Sequence, residues 1–151
     1  MAGKGDFTAE EWITMQRAMI GAAMFAARSD GGAFESSTEM EAVTAALEAS
    51  HASTANELIR ALSDAGELRT GFDAAIAFED LRGPVIDVLR NAAAIVAWTS
   101  PTDAHSFKVF VVGLAEAAAK AAKNGTHRGN GKGSSQAGDA INSVRNALGA
   151  A

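Results

Sequence analysis

Apolar residues recur at steps of three and four along most of this chain, the spacing that keeps one face of a helix turned toward a core. Trp12, Met15, Met19, Ala22, Ala23 and Ala26 form one such stripe, and Leu58, Ile59 and Leu62 form a short one. Val85, Ile86, Leu89, Ala93 and Val96 make a third. The longest face is Phe107, Phe110, Val111, Leu114, Ala118 and Ala121, with Glu116, Lys120 and Lys123 off it. β-branched and aromatic residues are sparse and tyrosine is absent, so the pattern predicts an all-α fold of about seven helices in a single bundle. The helix from Ser100 to Asn124 is expected to be buried at its centre.

Start and stop signals divide the pattern into elements. Thr8-Ala9-Glu10-Glu11 reads as a capping box, in which a hydroxyl and a carboxylate satisfy the free N–H groups of a helix start. Ser36-Ser37-Thr38-Glu39 and Thr54-Ala55-Asn56-Glu57 repeat that signal. The first helix therefore runs to about Arg28, the second fades near His51, and the third stops at Gly66. A short fourth helix is predicted over Phe72 to Asp80. Gly83-Pro84 and Ser100-Pro101 place proline in the first turn of the fifth and sixth, where its missing N–H does no harm. Lys120 and Lys123 suit the last turn of the sixth, before an Asn124-Gly125 stop. The glycines of Gly125 to Gly133 predict a flexible loop before a final helix through Ala140, Ile141, Val144 and Leu148. Residues 1–6 are expected to form a disordered tail.

A helix–loop–helix unit occurs near both ends. An offset of 94 positions lays Asp30-Gly31 on Asn124-Gly125, and one of 98 lays Glu41-Ala42-Val43 on Asp139-Ala140-Ile141. The order reads as an internal pseudo-repeat within one domain covering 1–151.

Composition narrows the chemistry. There is no cysteine among the 151 residues, which removes disulfides, thiol catalysis and Cys-ligated metal centres. The longest apolar run, Ala18 to Ala27, is half the ~20 residues that a bilayer requires. With no secretory signal pattern at the start, a cytoplasmic protein is the expectation. A net charge of −5 argues against a nucleic-acid partner, since phosphate neutralisation needs a basic surface. The charge is uneven: Glu35, Glu39, Glu41 and Glu48 stand without a basic neighbour between 35 and 48, whereas the chain from Glu116 onward carries an excess of basic residues.

No catalytic constellation is legible. Gly131-Lys132-Gly133-Ser134 lacks both the Lys-Ser step and the preceding strand of a phosphate loop. Glu48-Ala49-Ser50-His51 has the Glu-x-x-His spacing of a di-iron bundle without the second copy that such a site needs. The three histidines have no nucleophile or acid at a recognisable spacing. These patterns predict a non-enzymatic chain with no cofactor.

The apolar helix closed by Asp30-Gly31, the Ser-x-x-Glu start of an acidic helix, and the recurrence of this pair at the far end resemble the tellurite-resistance TerB family. Phe7-Thr8-Ala9-Glu10-Glu11-Trp12 is similar to the opening of uncharacterised bacterial helical proteins. The resemblance implies a bacterial stress-response protein that works through contacts with another protein or with itself. It also implies divalent-cation or partner contacts at Asp30 and Glu39, and at Asp139 in the second copy. Asn124 and Ala137 depart from that pattern where the second copy should supply acids.

Two alternatives accompany this reading. A cation sensor would use the loop from Asp30 to Glu41, with Asp30, Glu35 and Glu39 as metal ligands. That window is not an EF-hand, because Gly32 and Phe34 hold ligand positions and Glu35 holds the glycine position. The simpler role for Asp30 is to end one helix, and for Glu39 to cap the next. A carrier would hold a small apolar ligand between the first, fifth and sixth helices, lined by Met15, Met19, Trp98 and Phe110.

Overall fold

The computed structural model describes residues 4–28, 37–53, 56–63, 78–126 and 131–149. Every regular element among them is helical: α1 (Ala9–Arg28), α2 (Ser37–Ser53), α3 (Glu57–Leu62), α4 (Phe78–Thr99), α5 (Ala104–Thr126) and α6 (Gly131–Leu148), with 3₁₀ turns at Lys4–Asp6 and Pro101–Asp103. The all-α expectation holds, with six α-helices described rather than about seven.

The first helix starts as its sequence predicts. Glu11 N–H donates to Thr8 Oγ1 at 3.1 Å and Thr8 N–H donates to Glu11 Oε1 at 2.9 Å, the reciprocal pair of a capping box. Phe7, the residue before the cap, is buried, and its ring centroid lies 6.0 Å from that of Trp12. This apolar contact across the cap is a hydrophobic staple, and it fixes the angle at which the chain enters α1. A 3₁₀ turn at Lys4–Asp6 precedes the staple, and residues 1–3 of the expected tail lie outside the described residues.

From Ala18 to Ala26 every α1 residue is buried except the partly exposed Ile20. A helix that is apolar all round belongs inside a protein, and this one packs against α4, α5 and α6. The apolar run too short for a membrane is thus a core segment. Alanines make it possible, because small side chains let three neighbours approach one helix. Phe107, Val111, Leu114, Ala115 and Ala118 of α5 complete the same core, together with Leu58 and Leu62 of α3, Val85, Leu89 and Val96 of α4, and Val144 and Leu148 of α6.

The two ends share an order of elements but not a packing arrangement. The first helices of the two units, α1 and α5, pack on each other. Their second helices take different neighbours, α2 lying on α5 and α3, and α6 on α4, α5 and α1.

Several boundaries differ from the sequence expectation. The N-cap of α3 is Asn56, whose Oδ1 accepts from Ile59 N–H at 3.1 Å, two residues later than the Thr54 box predicts. The helix ends at Leu62, not Gly66, with Ser63 N–H on the Ile59 carbonyl at 2.8 Å. Helix α4 begins at Phe78, so Pro84 lies inside it rather than in its first turn, and Phe78 to Asp80 belong to α4 rather than to a separate helix. Helix α5 passes through Asn124-Gly125 to Thr126, and α6 starts at Gly131, so both ends of the glycine-rich segment are helical. A single Gly inside a helix costs only about 1 kcal/mol, so one such residue does not by itself end a long helix.

Candidate interaction surface at the corner between α4 and α5

The best-specified polar structure lies where α4 turns into α5. Ser100 N–H donates to the Val96 carbonyl at 2.7 Å, carrying the helical bonding of α4 one residue past Thr99. Pro101 then starts a 3₁₀ turn, and Asp103 N–H donates back to the Ser100 carbonyl at 2.9 Å. The Asp103 carboxyl is turned inward and only 3% exposed. Its Oδ2 accepts from Ser100 Oγ at 2.6 Å and its Oδ1 accepts from Asn56 Nδ2 at 2.9 Å. Asn56 therefore serves two elements, capping α3 with its oxygen and holding the α4–α5 corner with its nitrogen. A carboxyl taken out of water must be hydrogen-bonded, and these donors meet that demand.

On the outside of the same corner stands Trp98, 88% exposed. The sequence hint is its phase: Trp98 falls two residues after the buried Val96, which turns it to the opposite side of the helix. Val109 in the second turn of α5 is 58% exposed and Ile13 on α1 is 42% exposed. Around Trp98 the outward residues of α4 are Asp87, Arg90, Asn91, Ala94 and Ala97. Farther along α4, Arg82 donates to Ser143 Oγ of α6 at 3.1 Å and its guanidinium stands 5.9 Å from the centroid of the Phe25 ring. That arginine ties α4 to α6 and α1.

Of the candidate metal ligands, Asp30 and Glu35 lie outside the described residues, as does the side chain of Glu39, although its backbone is in α2. Among the described residues no group of three or more His, Asp or Glu side chains gathers in metal-binding geometry. Asp139 is exposed, and its backbone carbonyl accepts from Ser143 Oγ at 3.0 Å. His51 Nδ1 lies 2.8 Å from the Arg60 carbonyl. A carbonyl only accepts, so Nδ1 carries the proton and the ring links the end of α2 to α3. The carrier lining does not assemble as expected: Met15, Met19 and Phe110 are packed in the core, and Trp98 faces away from it. No described helix is long and apolar enough to cross a membrane.

No protein-family model, curated protein or solved structure matches this chain.

Proposed function

We propose that this is a non-enzymatic protein that works through protein–protein contacts, with the outer corner of α4 and α5 as its docking surface. The observation that carries the reading is Trp98. An indole left almost wholly in water forgoes a large favourable burial, and tryptophan is the residue type most enriched among those that dominate binding energy at interfaces. Behind it the Ser100–Asp103–Asn56 network holds the end of α4, so the indole is presented from a fixed backbone and little ordering cost falls on binding.

The resemblance of the two end units to the TerB family supports a bacterial setting and a role in stress response. A protein partner is supported by the described residues of this corner, which set one aromatic anchor among small and mixed-charge side chains. A photoreactive amino acid placed at Trp98 in the native host should yield discrete protein adducts that the same group at Ala52, exposed on α2, does not. Adduct patterns that are identical at the two positions would remove Trp98 as a docking residue.

A further inference from the structure

We infer that the outer face of α4 pairs with the same face of a second copy of this chain, the helices running antiparallel about a two-fold axis at Ala94. The inference rests on the reading of Trp98 as a docking residue and names its partner. Asp87, Arg90, Asn91, Ala94, Ala97 and Trp98 are all exposed on α4. At 100° per residue they fall within about 60° either side of Ala94, so they form a single face.

That face is complementary to itself, as an isologous contact must be. Reversal about Ala94 exchanges positions 90 and 98, and positions 91 and 97. Trp98 of each copy then lies beside Arg90 and Asn91 of the other, with a guanidinium available to the electron-rich indole face. Ala94 meets Ala94 on the axis, where small side chains permit close approach of the backbones. The chain already uses such a pairing internally, at Arg82 and Phe25. The two ends of the face thus supply unlike groups that satisfy each other only when the helices are antiparallel, which favours a second copy over an unrelated apolar helix. Two tryptophans bury roughly 300–500 Å² together, well short of the ~1,200 Å² of a standard interface, so the dimer is a weak and reversible one.

The absence of cysteine makes the register directly testable, because an introduced thiol is unique in the chain. Full-length protein should show a sedimentation-equilibrium mass that rises from 15.4 kDa toward twice that value across roughly 1 µM to 1 mM. Trp98→Ala and Arg90→Glu, both at exposed positions, should each weaken dimerisation about tenfold or more while leaving the circular-dichroism spectrum unchanged. Under mild oxidation Ala94→Cys should form a disulfide dimer at least about ten times faster than Ala52→Cys, since a disulfide needs Cα atoms within about 7 Å. A monomer at every concentration overturns the proposal. So does association with Ala94→Cys no faster than the control, which would mean another register. Either result leaves the docking role of Trp98 intact if photoreactive adducts with other proteins form there, and loss of those adducts alone would leave the dimer standing.

Discussion

Leu114 and Gly113 are neighbours on α5 with opposite prospects. Leu114 is 1% exposed in the common core, and Leu114→Ala should lower unfolding stability by about 2–5 kcal/mol, from lost burial plus the cavity left behind. Gly113 is exposed in the middle of the helix, and a Cβ added there meets nothing within 4 Å. Gly113→Ala should therefore stabilise by about 0.5–1 kcal/mol through backbone entropy alone, and urea titrations of both variants check the two signs. The Leu114 prediction is legible in the sequence, because its position on an unbroken stripe already assigns it to the core. Asn56 is not legible in that way. Its partner Asp103 is 47 positions away, and an Asp near a helix start reads as a cap turned to water. Asn56→Ala removes the cap of α3 and a donor from a buried carboxyl at once, so it should cost about 1–3 kcal/mol. Asn56→Ser, which keeps a capping oxygen but offers no amide to Asp103, should recover only the capping share. A destabilisation no larger than a few tenths, as at ordinary surface sites, would show that the corner does not depend on this amide.

At the scale of elements, capping chemistry and periodicity agree at the start of α1, while α4 and α5 are located by their long apolar stripes. Boundaries fare worse where one residue argues against the packing of many. Pro84 is the clearest case: Gly-Pro reads as a helix start, yet α4 begins six residues earlier. Inside the helix, Pro84 offers no N–H to the carbonyl of Asp80, and its ring crowds that carbonyl. Pro84→Ala restores the bond and relieves the contact, with Gly83 and Pro84 both exposed and no core packing to lose. The expected outcome is a gain of about 1–3 kcal/mol in thermal or urea unfolding. Were the helix to begin at Pro84, that proline would sit where it is favoured, and replacement would leave stability unchanged or reduce it.

At the scale of the whole molecule, the fold is one core built around two helices rather than two similar halves placed side by side. The pattern that the two ends share in sequence is an order of helices, and order does not determine neighbours. Which face each second helix presents depends on contacts remote in sequence, and α2 and α6 meet different partners. The consequence can be read by native-state hydrogen exchange. Amides of α1 from Ala18 to Ala26 are enclosed almost all round, and those of α5 from Phe107 to Ala119 lie between α1 on one side and α2 and α6 on others. Opening either segment exposes most of the core, so both should exchange only through global unfolding, with a free energy equal to that from urea titration. The six residues of α3 are held mainly by Leu58, Ile59 and Leu62 together with the Asn56 and His51 contacts, and should exchange through a lower-energy local opening. Asn56→Ala should lower the exchange free energy of α1, α3 and α5 alike, because its contacts break in the local opening as well as in global unfolding, and α3 should stay below α1 in both proteins. Equal exchange free energies for α1, α3 and α5 in the unmodified chain would mean instead that the α3 segment unfolds only with the whole, making the Asn56–Asp103 link part of the global cooperative unit rather than a local fastening.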